Sequence, residues 1–187
     1  MRSNAKSLHD EFALEVNNLS VAFNMYDKGL NKNDLEVIHE LNINVKKGEI
    51  VVVVGSSGSG KSLLAHAIMG ILPGNSNVKG DIKFYGENLT EKKLKKLRGK
   101  DISFIPQSVE FLDPLMKIGK QVIGINGSEK KRKKLFEKYD LEDNVADKYP
   151  FQLSGGMARR VLIATAVMND AKLIIADEPT PGLNIEL

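Results

Sequence analysis

"FALEVNNLSVAF" (12–23) predicts a strand, in which the apolar residues Leu19, Val21 and Phe23 recur at every second position. The next stretch, "MYDKGLNKNDLE" (25–36), is polar and predicts a loop. Residues 37–55, "VIHELNINVKKGEIVVVVG", predict an alternating strand, a Lys-Lys-Gly-Glu turn and a second strand of different character. That second run, 50–54, is continuously apolar and β-branched, the pattern of a parallel strand covered on both faces. "KSLLAHAIMGIL" (61–72) sets Leu64, Ile68 and Ile71 at helical spacing, and Pro73-Gly74 stops it. "VKGDIKFYGENLT" (78–90) predicts strand, turn and strand. Between about 106 and 150 the chain is rich in lysine and predicted to be helical. A helix opening at "LSGGMARR" (153–160) and running into "VLIATAVM" follows, then a second buried strand in "AKLIIADE". Strand, helix and buried strand in this order predict an α/β fold around a parallel sheet. No internal repeat and no low-complexity tract interrupts the pattern.

Composition narrows the function classes. A length of 187 residues predicts one domain, with room for a subdomain. The formal net charge of +3 is too small to argue for nucleic acid. With no cysteine there is no disulfide framework, thiolate zinc site or cysteine nucleophile, which suits a reducing compartment. "MRSNAKSLHDEF" has no apolar core and does not read as a signal peptide. No apolar run approaches the ~20 residues needed to span a bilayer. The chain is therefore predicted to be soluble, reaching a membrane only through a partner.

One segment carries specific chemistry. "GSSGSGKS" (55–62) satisfies G-x-x-x-x-G-K-[ST] at every specified position, between a β-branched run and an apolar helix. Gly55, Gly58 and Gly60 let the backbone curl so that successive N–H groups point inward at phosphate oxygens. The helix N-terminus adds positive potential. Lys61 can reach the β- and γ-phosphates, and Ser62 can ligate Mg²⁺. With Ser56, Ser57 and Ser59 these residues form the candidate ATP phosphate-binding set. In "KLIIADEP" (172–179) a strand ends in two carboxylates, 177 − 61 = 116 residues beyond Lys61. Asp177 is the candidate to hold Mg²⁺, directly or through water, and Glu178 the candidate to polarise the attacking water. Gln107, just after the short strand in "DISFIPQS", can ligate Mg²⁺ and orient water.

"LSGGM" has the serine and glycines of an anion-friendly helix start, yet no His, Cys or Asp stands beside Ser154 to activate it. With the phosphate loop, the Gln loop and "LIIADEPT" in this order, the chain resembles the nucleotide-binding subunit of ABC transporters over residues 12 to 185. "SLLAHAIMGILP", "YPFQLSGGM" and "FLDPLMKIGKQV" are similar to the ATPases of peptide and nickel importers. The resemblance implies a P-loop NTPase core with a parallel sheet, an N-terminal antiparallel β subdomain and an inserted α-helical subdomain. The expected divisions are 1–105 (β subdomain and P-loop core), 106–152 (Gln loop and helical subdomain) and 153–187 (signature helix and return to the core). It also implies that two such domains pair head to tail. Ser154, Gly155, Gly156 and Met157 of each would then close over the ATP held by the other, which accounts for two anion cradles in one chain. Expected partners are a second ABC ATPase subunit, two membrane-spanning permease subunits and, indirectly, an extracytoplasmic solute-binding protein, with no nucleic acid. The expected location is the cytoplasmic face of the membrane, and the expected reaction is MgATP hydrolysis driving uptake of a peptide, nickel or a related small solute.

Phe23 stands where the family stacks a ring on adenine. It also alternates with Leu19 and Val21 and would equally face a core; Tyr26 is the other aromatic candidate. The chain departs from the family pattern at Asn184, where Asp is usual. It also ends before the position of a switch histidine, since His9, His39 and His66 all precede Asp177. These departures imply a truncated chain lacking the last core strands. They leave open a nucleotide-binding module that no longer hydrolyses, or a soluble ABC ATPase outside transport. "EKKLKKLRGK" (91–100) and "EKKRKKLFEK" (129–138) read as solvated helix faces with Leu94, Leu97, Leu135 and Phe136 turned inward, since no aromatics are interleaved for base stacking.

Overall fold

Two adjacent asparagines shift the alternation of the first strand by one residue. Leu14 and Val16 are buried, Asn17 and Asn18 intervene, and Leu19 and Val21 are buried again. The computed structural model, which describes residues 11–26 and 32–179, resolves this as a bulge. Asn18 takes a left-handed φ of 49°, and its N–H donates to Asn42 Oδ1 at 2.9 Å. Asparagine tolerates that conformation because its short polar side chain bonds locally. The neighbouring strand answers with Gly80 (φ 98°), where a Cβ would lie 2.4 Å from the Asn18 carbonyl oxygen. The extra residue restores the apolar face to the core side.

The chain divides into a first unit ending at Lys96 and a second beginning at Leu97. The first holds β1 (Phe12–Tyr26), β2 (Lys32–Lys46), α1 (Lys61–Met69), β3 (Ser76–Phe84) and β4 (Glu87–Asn88). Its four strands form an antiparallel sheet in the order β2-β1-β3-β4. Helix α2 (Glu91–Leu97) follows at the boundary, with Leu94 buried. β2 begins earlier than the polarity of 32–36 predicts, since Phe23 pairs with Leu35 and Tyr26 with Lys32. A hairpin satisfies backbone groups whatever the side chains carry, so a polar segment extends the ladder. α1 ends at Met69, with Gly70 in the left-handed conformation as its C-cap (φ 60°). Leu64 and Ile68 are buried as expected, but Ile71 lies beyond the helix and is exposed.

One expectation is overturned. Residues 50–54 are not a covered parallel strand: they pair with no strand among the described residues, and all five are exposed, Ile50 to 91%. A β-branched run becomes a strand only when a neighbouring backbone supplies hydrogen-bond partners, and none of the described segments does so.

The second unit carries a parallel pair, β5 (Ile102–Ile105) and β6 (Leu173–Ala176), with Ile102 opposite Leu173 and Ile105 opposite Ala176. Between them lie α3 (Ile118–Ile123), α4 (Glu129–Lys138), α5 (Gly155–Val167) and 3₁₀ turns at Val109–Phe111, Asp143–Asp147 and Pro150–Gln152. The lysine-rich segment is thus helical in short pieces joined by turns. Its core gathers Ile118, Val122, Phe136 and Val145 with Val161 and Ala164 of α5. Among the described residues no helix is long and apolar enough to cross a membrane.

The basic run 129–138 is a solvated face with one exception. Arg132 lies on the same helical face as Leu135 and Phe136 and is 2% exposed. Its Nε donates to Glu129 Oε1 at 2.8 Å, its Nη2 to Glu129 and to Asp143 Oδ1 (2.6 Å), and its guanidinium stacks on Phe136 at 4.7 Å. Burial lowers the Arg132 pKa, but the hydrogen bonds to Glu129 and Asp143 outweigh it and the net shift is upward. The same hydrogen bonds are the largest cause holding Glu129 and Asp143 below the usual carboxylate range. A carboxylate with a depressed folded pKa stabilises fully above its unfolded value, and that stability disappears as pH falls through the folded value. Thermal unfolding of the second unit should therefore lose midpoint steadily below about pH 4, the ordinary carboxylate pKa. Asp143→Asn should have a lower midpoint near neutrality and a flatter acid limb. Parallel pH profiles for the two proteins would remove Arg132 from this role.

Candidate active site

Residues 55–59 of the phosphate-loop motif are exposed, and Gly60 to Ser62 are half-buried. Gly60 is the N-cap of α1 at φ 89°, ψ 7°, with no side-chain cap on the helix. Its position is tight as well as left-handed: a Cβ would meet the Cγ1 atoms of Val37 and Ile38, each at 3.4 Å. The first N–H groups of an α-helix lack intrahelical acceptors, so an uncapped start presents donors to an incoming anion. Lys61 Nζ donates to the carbonyl oxygens of Gly55 (2.9 Å) and Ser56 (2.8 Å). The ammonium is thereby held over the loop.

In the second unit the chain leaves β6 through two carboxylates with different surroundings. The Asp177 N–H donates to the Ile105 carbonyl at 2.9 Å, carrying the β5–β6 ladder one residue further, and the residue is 7% exposed. Glu178 is exposed and takes a left-handed φ of 43°, a conformation costly for a residue with a Cβ. Gln107 Nε2 donates to Glu178 Oε2 at 2.6 Å. A carboxylate only accepts, so the amide nitrogen faces Glu178 and Gln107 Oε1 is directed elsewhere. Residues 71 apart in sequence are thus brought together by the parallel pairing of β5 with β6.

The signature serine is the N-cap of α5. Ser154 Oγ accepts the Met157 N–H at 3.3 Å, while Ser154, Gly155 and Gly156 are exposed and Met157 is half-buried. One side chain of this region has a role that the sequence does not announce. Arg159 is 6% exposed and donates to the carbonyls of Pro106 and Gln107, both at 2.7 Å. Its placement between buried Ala158 and Val161 on an otherwise apolar helix face was the available signal. Arg160, next to it, bonds Asp140 at the surface instead. Phe23 is half-buried on β1, unlike the fully buried Leu19 and Val21. Asn184 and the Tyr26 side chain lie outside the described part of the structure.

A family model described as "ABC transporter" matches residues 38–181. The chain belongs to the ABC transporter family. It is 36% identical to the dipeptide transport ATP-binding protein DppD of Lactococcus lactis, aligning over 95% of this chain and 54% of that protein. It is 39% identical to the metal-staphylopine import system ATP-binding protein CntD of Staphylococcus aureus, over 81% of this chain and 61% of that one. The chain spans about half the length of the curated peptide-transport relatives it matches. Its fold is similar to the ATP-binding cassette MJ0796, solved as a dimer in a post-hydrolysis state bound to ADP and Pi. The TM-score is 0.76 at 27% identity, covering 92% of this chain and 76% of that one. The antiparallel β subdomain and the parallel strand pair are those of an ABC cassette.

An ABC cassette implies Mg²⁺ beside ATP. The candidates read from the sequence are a hydroxyl in the first unit (Ser62) and a carboxylate and an amide oxygen in the second (Asp177, Gln107). These are hard oxygen ligands of the kind Mg²⁺ takes when it keeps waters and substrate phosphates as its other ligands. Among the described residues no group of three or more His, Cys, Asp or Glu gathers as a dedicated all-protein cage. The donor chemistry fits Mg²⁺ held jointly with a nucleotide. The loop geometry carries its own prediction. Gly60→Ala should cost about 1–2 kcal/mol for the left-handed φ alone, read as a lower denaturant midpoint of the first unit. A midpoint equal to that of the parent chain would mean the loop relaxes freely.

Proposed function

We propose that this chain is the ATP-binding, ATP-hydrolysing subunit of an ABC importer. The observation that carries this reading is the uncapped start of α1 with Lys61 poised over the loop, in a segment that matches the ABC family. ATP phosphates accept from the N–H groups of residues 55–62 and take over Lys61 from the Gly55 and Ser56 carbonyls. Phe23, half-buried at the surface of the first sheet, stacks on adenine. Ser62, Asp177 and Gln107 would hold Mg²⁺, whose charge would offset that of the phosphoryl oxygens. Glu178 orients the attacking water and takes its proton, and the Gln107 amide, which donates to that carboxylate, fixes its aim.

The signature residues act in trans. Ser154, Gly155, Gly156 and the Met157 end of α5 face the γ-phosphate bound by a second subunit, in a head-to-tail pair. A dimer closed by two ATP molecules and reopened by hydrolysis drives two membrane-spanning permease subunits, placing the chain at the cytoplasmic face of the membrane. The 106–152 segment offers the contact surface: Phe111, Leu115, Met116 and Phe151 are apolar and exposed. The relatives' names point to a peptide or a chelated metal as cargo, delivered by a solute-binding protein.

Lys61→Ala removes a charge-assisted contact worth roughly 1.5–3 kcal/mol, or about 10- to 150-fold in affinity. Titration calorimetry with MgATP should show that loss; unchanged binding would sink the assignment of the loop. Ser154→Arg should leave ATP affinity of the monomer nearly intact and abolish the ATP-dependent dimer on a Glu178→Gln background, measured by light scattering. Normal dimerisation, or lost monomer binding, would rule out action in trans.

A further inference from the structure

The Gln loop is fastened to the signature helix by one side chain. Arg159 sits in the second turn of α5, five residues after Ser154, and is 6% exposed. Its two terminal nitrogens divide between consecutive carbonyls: Nη1 to Pro106 (2.7 Å) and Nη2 to Gln107 (2.7 Å). On the other side of the same strand end, the Ile105 carbonyl accepts from the Asp177 N–H at 2.9 Å. Three successive carbonyls, 105 to 107, are therefore held from two elements, β6 and α5. Pro106 adds a locked φ in the middle. The Gln107 side chain that leaves this clamped backbone reaches Glu178 at 2.6 Å.

Two features separate this contact from an ordinary core staple. A buried guanidinium normally meets a carboxylate, as Arg132 does with Glu129 and Asp143. Arg159 instead spends both ends of its fork on neutral carbonyls. Those carbonyls belong to the loop that bears Gln107, and the arginine belongs to the helix that begins with the signature. The guanidinium is planar and rigid, so a rotation or shift of α5 moves both carbonyls together.

We infer that Arg159 is a positioning residue: it ties the orientation of the signature helix to the aim of the Gln107 amide at Glu178. This rests on the reading of Gln107 and Glu178 as the pair that orients water. Docking of the signature on a partner's nucleotide is then transmitted along one hydrogen-bonded path, from Ser154 through α5 and Arg159 to Gln107 and Glu178.

The test is hydrogen exchange on the full 187-residue chain, as the parent and as Arg159→Met and Arg159→Lys, with and without Mg²⁺ and adenylyl imidodiphosphate. Without nucleotide, Arg159→Met should speed exchange at residues 107–109 by about tenfold or more, with 161–167 little changed. Arg159→Lys, which keeps the charge but reaches one carbonyl at a time, should fall between. With nucleotide, the parent should change at 55–62, 107–109 and 154–158 together. Arg159→Met should keep the change at 55–62 and lose it at 107–109. Unchanged exchange at 107–109 in both variants, or an equal rise across 161–167, would overturn the inference and leave Arg159 as a fold staple. If nucleotide leaves 55–62 of the parent unchanged, the nucleotide-binding reading fails by itself, and the nucleotide-free comparison still decides the role of Arg159.

Discussion

An α-helix begins with N–H groups that have no acceptor within it, and the functional geometry of this chain depends on how two helices treat that shortage. α1 leaves it open. Its N-cap is a glycine in a left-handed conformation, with no side chain to offer an oxygen, and the lysine that follows folds back over the loop carbonyls. α5 closes it in part, since Ser154 Oγ takes the Met157 N–H while the glycines beside it stay exposed. One helix start therefore has no side-chain cap competing with phosphate. The other is a self-satisfied end that gives up little until an anion arrives.

Buried arginines organise the second unit in two ways. Arg132 is neutralised by Glu129 and Asp143 and joins α4 to the turn at Asp143–Asp147. Removing a partner from such an ion pair strands a charge, so the arrangement is rigid. Arg159 joins α5 to the backbone after β5 through carbonyl oxygens, with no ion pair to a carboxylate among the described residues. Hydrogen bonds to carbonyls hold geometry without neutralising the charge, so this joint fixes the direction of the Gln loop backbone relative to α5.

Local chemistry was legible in the sequence wherever it depended on consecutive residues. The glycine-rich loop, the serine before α5 and the carboxylates after β6 are each read from residue type and spacing within a few positions. Leu94, Leu135 and Phe136 turn inward as the helical spacing predicts, whereas the bulge at Asn17-Asn18 emerges only from the pairing of β1 with its neighbours. Side chains that act across the fold were harder to read. Arg132 and Arg159 look like members of basic surface runs until the elements that bury them are in place. Residues 50–54 have the composition of a covered strand, yet composition supplies no hydrogen-bond partner, and they remain exposed among the described residues.

By itself, then, the sequence determined which backbone segments curl, start helices or end strands, because glycine torsions, caps and side-chain periodicity act over one or two turns of chain. The tertiary structure alone decided that Gln107 meets Glu178, since only the parallel register of β5 on β6 closes the distance between residues so far apart in sequence. It also decided that Arg159 faces the Gln loop. A guanidinium on a helix has no preferred direction until a neighbouring element presents carbonyls with unmet acceptor capacity, and here those are Pro106 and Gln107.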